Sequence, residues 1–179
     1  MDRDQIGTLL TEASKLTHHK EFVIMGSLSV LGAVAEAPSA MLLSIDVDLF
    51  PLRDPGRAGE IARSLGQGSA FEREHGYYAD AVSPGLAALP EGWEGRLHRI
   101  AYSDHVVGLY LDPNDAAVAK LARSEPRDRR WVREGIKAGI VNADVVERRM
   151  TSAPFLDQAE HDRARRSLVE ERLAAERNA

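Results

Sequence analysis

The chain has 179 residues, of which 44% are hydrophobic and 28% are charged, and its formal net charge is −5. This composition is typical of a globular protein with room for one domain and its own core. The acidic balance argues against a surface coated in basic charge for non-specific nucleic-acid binding. The absence of cysteine excludes disulfides, thiolate catalysis and thiolate metal sites. The polar opening residues are unlike a signal peptide, and no apolar run approaches the ~20 residues of a membrane span. We therefore expect a cytoplasmic protein without a membrane partner.

Hydrophobic periodicity and turn residues divide the chain into short predicted elements. Those of the first 111 residues are, in order, a helix (4–19), a strand (21–25), a helix (28–36), a strand (40–51), a helix (54–66), a strand (76–82) and a hairpin (96–111). Those of the remainder are helices at 112–123, 127–139 and 142–150 and a mixed-charge helical tail at 157–179. This order predicts an α+β fold, with a small mixed β-sheet flanked by helices and a helical C-terminal half.

The same pattern predicts how the chain is organised. We expect an α/β core over 1–111, a helical part of the same domain over 112–152 and a charged helical tail over 153–179. The tail has few large apolar residues, so it is expected to be solvated or to bind a protein partner. The glycine-rich stretch 66–71 is interpreted as a turn.

Two aspartates interrupt the apolar, strand-like run "SIDVDLFP" (44–51). Asp46 and Asp48 are two residues apart, so on a strand their side chains point to the same face. An unpaired buried carboxylate is very costly, whereas two carboxylates on one face can hold a divalent cation, and oxygen ligands suit Mg²⁺ or Mn²⁺. Taken alone, the pattern fits a strand end that reaches solvent equally well.

A Gly–Ser turn lies between the predicted strand 21–25 and the helix that follows it. Gly26 and Ser27 would present backbone N–H groups and a hydroxyl at a helix N-terminus, where phosphate groups bind. Taken alone, the pair is an ordinary turn in which Ser27 caps the helix. The order of strand, Gly–Ser, helix and a strand with two carboxylates resembles the nucleotidyltransferase superfamily.

A closer resemblance joins five blocks over roughly residues 22–150. The blocks are "MGSLSVLGA", "SIDVDLFP", "GQGSAFEREHGYYADAVSPGLAALPEGWEGRL", "LYLDPNDAAVAKLARSEPRDRRWV" and "AGIVNADVVERRM". They resemble an uncharacterised bacterial family of that superfamily, related to the AbiEii-type nucleotidyltransferase toxins. This resemblance implies a transfer of NMP from an NTP to an unknown acceptor (RNA, protein or small molecule), with Mg (or Mn) as cofactor and with a toxin–antitoxin connection.

The superfamily also requires a third carboxylate on a neighbouring strand. Asp80 is chosen because its strand-like segment lies in a matching block. Asp112 is the rival, although a role in capping the next helix already explains it. The resemblance therefore implies Asp46, Asp48 and Asp80 as catalytic residues, the first two of them metal ligands.

The same resemblance assigns nucleotide binding to Gly26, Ser27 and Lys120. Lys120 lies on a predicted helix that is apolar nearly all round, so we expect its amine to point towards Asp46 or Asp48, within reach of a salt bridge or one water. A solvated lysine is the alternative. The arginines of "RSEPRDRRWVR" (123–133) could bind a triphosphate or a nucleic-acid acceptor. Their alternative is a solvated helix face paired with its own acids.

Two features depart from the family pattern. Eighteen residues separate Ser27 from Asp46, which is more than most of the superfamily shows. The arginine that AbiEii-type toxins usually carry shortly before the paired acids is missing from "AMLLS" (40–44). Both departures favour an alternative function, in which a catalytically degenerate member binds a nucleotide or a partner.

Overall fold

The computed structural model describes residues 1–83, 85 and 87–177 and contains one five-stranded sheet. The strands are β1 (Glu21–Ile24), β2 (Asp46–Pro51), β3 (Tyr78–Ala81), β4 (His98–Ser103) and β5 (Val106–Tyr110). Their order across the sheet is β3-β2-β1-β5-β4. The pairs β1–β5 and β2–β3 are parallel, and the pairs β1–β2 and β4–β5 are antiparallel. The sheet is therefore mixed, as the sequence predicts.

Seven α-helices of the described residues accompany the sheet. They are α1 (Arg3–Thr17), α2 (Ala58–Leu65), α3 (Ala70–His75), α4 (Pro113–Arg123), α5 (Pro126–Lys137), α6 (Ala143–Met150) and α7 (Gln158–Arg177). The helix α1 packs on β5, and α2 packs on β2 and β3. The helix α4 packs on α5, α6, α7 and a short 3-10 helix, Ser27–Gly32. This arrangement confirms the α+β fold with a helical C-terminal half.

Local sequence explains where the best-defined helices begin. Asp2 accepts a hydrogen bond from the Gln5 N–H, and the Gln5 side chain accepts one from the Asp2 N–H, so the pair forms a capping box for α1. Asp112 accepts a hydrogen bond from the Asn114 N–H at the start of α4, and Pro113 occupies the first helical position, where no N–H is needed.

The predicted helix over 28–36 and the predicted strand over 40–51 are both wrong in their extents. The first is the 3-10 helix Ser27–Gly32, whose last residue lies so close to β5 that a Cβ on Gly32 would be 2.1 Å from the Tyr110 Cβ. The strand begins only at Asp46, because the strand pairing with β1 and β3 covers residues 46–51 and does not extend to the residues before them. The segment 40–45 is an approach to the strand instead, which starts at the end of a 3-10 helix, Ser39–Met41, and has Met41 buried and Leu43 and Ile45 exposed.

A helix was missed within the predicted turn at 66–71 and the residues after it. Ser69 accepts a hydrogen bond from the Glu72 N–H at 3.1 Å and starts α3. The spacing S-x-x-E is the signature of a capping box, so the sequence carried a signal for this helix. The predicted helix 54–66 divides into a 3-10 turn, Pro55–Arg57, followed by α2.

The C-terminal tail is docked, so the prediction of a solvated extension is wrong for its inner face. The helix α7 packs on α4 and α5. Leu168 is the one large apolar residue among its buried residues, and the others are small or polar, namely Ala164, Ser167, Glu171 and Ala175. Small side chains let helices approach closely, which a search for large apolar residues overlooks. Residues 178–179 of the predicted tail lie outside the described residues. No helix among the described residues combines the length and apolarity needed to cross a membrane.

Candidate active site

Three aspartates meet at the edge of the sheet where β2 and β3 run parallel. Asp46 and Asp48 flank the buried Val47 on β2, so their side chains share one face. In the β2–β3 register Asp48 lies opposite Asp80. One carboxylate oxygen from each of the three aspartates lies within 4.8 Å of the others. The structure thus brings together the carboxylates that the sequence singles out.

Gly26 lies directly against this cluster. Its φ is +63°, a value that L side chains rarely adopt, and a Cβ placed on it would be 1.7 Å from the Asp48 Oδ2. The neighbouring Met25 N–H donates a hydrogen bond to the Asp48 carbonyl at 2.8 Å, which fixes the turn against β2. Glycine is therefore required here because any side chain would displace the Asp48 carboxylate.

The electrostatics of the cluster suit a cation. Burial, followed by the charges of Asp46 and Asp80, raises the pKa of Asp48 to about 6. Burial and the Asp46 charge also raise the pKa of Asp80. Burial is the larger cause of both shifts, and the repulsion between neighbouring ionised carboxylates adds to it. An all-oxygen donor set of this kind fits Mg²⁺ or Mn²⁺, so Asp46, Asp48 and Asp80 could hold a divalent cation.

Lys120 lies behind the Gly–Ser turn and is buried, with 3% of the residue exposed. Its Nζ donates hydrogen bonds to the Ser27 Oγ at 3.0 Å and to the Asp128 Oδ1 at 3.1 Å. Burial lowers the pKa of the amine, and the Asp128 charge opposes that shift. The direct ion pair of the amine is with Asp128 on α5 and not with Asp46 or Asp48. Its charge nevertheless lowers the pKa of Asp48, and both residues line one pocket, so a contact through one water stays a prediction. The alternative of a solvated lysine is wrong, because the residue is buried.

Asp128 was missed by the sequence reasoning as a site-forming residue. It is 1% exposed and also accepts two hydrogen bonds from Arg123, at 3.1 and 2.9 Å. The sequence reasoning treated it only as a partner for surface arginines. The available signal was Lys120 itself, because a buried ammonium needs a buried acid.

Trp131 completes the floor beneath the turn. Its Nε1 donates a hydrogen bond to the Ser27 carbonyl at 3.1 Å, and the Lys120 Nζ lies 5.0 Å from the centroid of its ring, within cation–π range. Both α4 and α5 therefore hold Ser27 in place, one through its hydroxyl and one through its carbonyl.

Two pockets open beside the aspartates. The first, of about 430 Å³, is lined by Gly26, Asp48, Lys120 and Arg123 and by an apolar wall that includes Leu111. The second, of about 420 Å³, has polar and charged lining residues from three segments, namely Ser27, Ser44, Asp46, Arg127 and Arg130. The carboxylate cluster thus has Asp48 on one pocket and Asp46 on the other.

The rival carboxylate, Asp112, does not join the cluster. It caps α4 and forms an ion pair with Arg149, and these contacts lower its pKa despite its burial. Arg149 also contacts the buried Asp115. Asp112 is therefore part of the packing between α4 and α6.

A mixed sheet with three clustered aspartates beside a Gly–Ser turn is the arrangement of a nucleotidyltransferase-like protein. The model of the family described as "Nucleotidyltransferase of unknown function (DUF6036)" matches residues 4–178, and the chain belongs to this family. The match extends beyond the blocks at 22–150 and includes α7. No curated protein and no solved structure matches the chain. The superfamily assignment is confirmed, whereas the relation to AbiEii-type toxins stays a prediction.

Proposed function

We propose that this protein is a metal-dependent nucleotidyltransferase that moves NMP from an NTP to a hydroxyl acceptor. The observation that carries the proposal is that one carboxylate oxygen from each of Asp46, Asp48 and Asp80 lies within 4.8 Å of the others. The Asp48 carboxylate occupies the space that a side chain at Gly26 would need. Like charges are not gathered in this way for stability, because their repulsion opposes folding.

Asp46 and Asp48 would hold Mg²⁺ or Mn²⁺, with Asp80 as the third carboxylate. A divalent cation held there would polarise the α-phosphate and neutralise the charge of the departing pyrophosphate. The proposal gives Asp80 a second role as base, because it lies opposite Asp48 in the β2–β3 register and because burial and the Asp46 charge raise its pKa.

The phosphates would lie against Gly26, Ser27 and Lys120. Lys120 donates to the Ser27 Oγ, so the hydroxyl hydrogen of Ser27 is left to donate to a phosphate oxygen. An ammonium has three N–H groups, and the contacts of Lys120 with Ser27 and Asp128 use two of them. The third is available to the triphosphate.

The first pocket fits the nucleoside end of the donor. Its apolar wall combines small residues of α4 with Leu111 and Leu156, which suits a ribose and base. Arg123 lies at the same pocket and lowers the pKa of Asp48 through its charge. It could therefore contact a phosphate oxygen as well.

In the proposed transfer step, every bond formed is matched by a bond broken, and Asp80 takes the proton that is released. The acceptor oxygen forms a bond to the α-phosphorus, and the bond from that phosphorus to the bridging oxygen of the β-phosphate breaks. Pyrophosphate leaves with the electron pair of the broken bond, and the acceptor hydroxyl proton passes to Asp80. Positioning and charge stabilisation are the main contributions a protein makes to such a step.

Calorimetry with each of the four NTPs tests the proposal. The wild-type protein should bind at least one NTP in Mg²⁺ and lose that binding in EDTA. Asp48→Asn should abolish it, whereas Asp104→Asn, at the exposed turn between β4 and β5, should not. Binding that ignores Mg²⁺ or Asp48, or no binding of any NTP, would contradict the proposal.

A degenerate, non-catalytic binding protein is the second candidate. The positive charge of Lys120 is already balanced by Asp128, and the segment 40–44 carries no arginine. Incubation with labelled NTP, Mg²⁺ and candidate acceptors (RNA, protein or a small alcohol) separates the two candidates, since only a transferase releases pyrophosphate and labels an acceptor.

The acceptor and the biological setting belong to this proposal too. The resemblance to AbiEii-type toxins supports a toxin–antitoxin role, with RNA, protein or a small molecule as acceptor. The outer face of α7 exposes Val169 and Leu173 and is the proposed contact for a protein partner.

A further inference from the structure

The arginines between residues 123 and 133 fall into two groups. Arg123, Arg129 and Arg133 form ion pairs with Asp128, Glu170 or Glu171. Arg127 and Arg130 are exposed and form no ion pair within the described part of the chain. The solvated, self-paired face that the sequence allows therefore describes only the first group.

Both unpaired arginines line the second pocket, on the Asp46 side of the carboxylate cluster. The floor of that pocket includes the buried Trp131. One wall is the approach to β2, where Leu43 is 70% exposed and Ile45 is 54% exposed. The pocket thus combines two free guanidinium groups with an apolar platform, immediately beside a proposed metal ligand.

The charge of this pocket favours an anion. Asp46 is the only acid that lines it among the described residues, and its charge would be neutralised by the cation of the proposed function. The planar fork of a guanidinium matches the oxygen geometry of a phosphate group. Two such forks on successive turns of α5 can hold one phosphate or two neighbouring ones.

We propose that the second pocket binds the acceptor, and that the acceptor is an alcohol that carries a phosphate group. Arg127 and Arg130 hold that phosphate while the hydroxyl lies beside Asp46. This inference rests on the proposed function, in which the NTP occupies the first pocket beside Asp48 and Lys120. In-line displacement requires the acceptor oxygen and the leaving oxygen on opposite sides of the α-phosphorus. Because Asp48 lines the first pocket and Asp46 the second, a donor in the first pocket leaves the second for the acceptor.

The test compares Arg127→Gln/Arg130→Gln with Arg63→Gln/Arg163→Gln. The control removes the same charge from exposed positions on α2 and α7. The probes are a fluorescein-labelled six-nucleotide single-stranded RNA, ribose 5-phosphate and uncharged ribose, measured by anisotropy or calorimetry in Mg²⁺ with a non-hydrolysable NTP analogue. The pocket variant should bind the phosphate-bearing probes roughly ten-fold or more weakly than wild type, the scale of a lost charge-assisted contact.

The control should bind all probes like wild type, and both variants should bind the NTP analogue within about two-fold of wild type, because the first pocket is untouched. Arg127→Lys/Arg130→Lys should keep part of the probe binding, since it keeps the charge and loses the fork. A much stronger response to the RNA than to ribose 5-phosphate assigns the acceptor to nucleic acid, and an equal response assigns it to a small phosphorylated compound.

Three results would overturn the inference. In the first, the wild-type protein binds neither phosphate-bearing probe. In the second, the pocket variant binds both of these probes as well as wild type does. In the third, the pocket variant loses binding of the NTP analogue and keeps binding of the probes. Failure of the proposed function is recognised separately, because wild-type protein would then bind no NTP analogue in Mg²⁺ at all.

Discussion

Two charged clusters lie on either side of the Gly–Ser turn, a half-exposed one of three acids and a buried one of opposite charges, and their charges are balanced in opposite ways. At the sheet edge, Asp46, Asp48 and Asp80 bring like charges together. Behind the turn, Asp128 accepts from both Lys120 and Arg123. The first arrangement brings like charges together with no cation among the described residues in an ion pair with them, whereas the second balances its charges within the protein. The local charge balance therefore distinguishes the candidate site from the scaffold that supports it.

The largest expected effect on stability comes from removing the acid of the balanced cluster, which consists of Lys120, Arg123 and Asp128. Asp128→Ala leaves the Lys120 ammonium buried without its acid, so it should lower the free energy of unfolding by about 3–5 kcal/mol. Chemical denaturation at pH 7 measures the change, with the exposed Asp162→Ala as control. A loss below about 1 kcal/mol would show that Lys120 escapes to solvent and that Asp128 is not its anchor.

Removing a charge from the unbalanced cluster, which consists of Asp46, Asp48 and Asp80, should instead raise the stability of the folded protein. The pKa of Asp48 is raised from 3.8 to about 6, so the folded protein holds this proton more tightly than the unfolded chain does. Stability is therefore unaffected below about pH 3.8 and is lost as the pH rises through 6. Without metal, Asp48→Asn should be more stable than wild type by about 2–3 kcal/mol above pH 7, and the difference should vanish near pH 4.

Denaturation at pH 4, 6 and 8 in EDTA measures this difference. Added Mg²⁺ should then stabilise the wild-type protein and leave Asp48→Asn unchanged. A variant that is less stable than wild type at every pH would mean that Asp48 is a paired, structural residue.

The sequence predicts the parts of these two clusters that depend on residues near one another in the chain, and not the parts that depend on distant segments. Asp46 and Asp48 are two apart on one strand, so strand alternation alone places them on one face. The position of Asp80 opposite Asp48 depends on the parallel pairing of β2 with β3, which no local pattern specifies. The bond from Lys120 to Ser27 spans 93 residues and depends on how α4 meets the sheet. Local periodicity carries no information on either contact.

Gly26 lies in the turn between the two clusters, and its substitution should lower stability by an intermediate amount. In Gly26→Ala the methyl group would collide with the Asp48 carboxylate, and the backbone is strained at φ +63°. We expect a loss of about 2 kcal/mol in stability and a clear loss of Mg²⁺ affinity. Gly76→Ala is the matched control, since its φ is +78° but nothing lies within 4 Å of the added atom. It should lose about 1 kcal/mol and keep its metal affinity; equal Mg²⁺ binding by both variants would contradict the tight contact.

The smallest expected effect comes from the exposed partner of the balanced cluster. Arg123 contacts Asp128 through two hydrogen bonds, but its side chain is 57% exposed. Solvent therefore screens this ion pair, and water can take the place of the guanidinium when Arg123 is substituted. Arg123→Gln should therefore lower the free energy of unfolding by less than about 1 kcal/mol, well below the effect of Asp128→Ala. Because Asp128 keeps Lys120 as its partner, no buried charge is left alone. Denaturation of the two variants side by side measures the ratio, and equal losses would mean that Arg123, and not Lys120, is the cation that Asp128 needs.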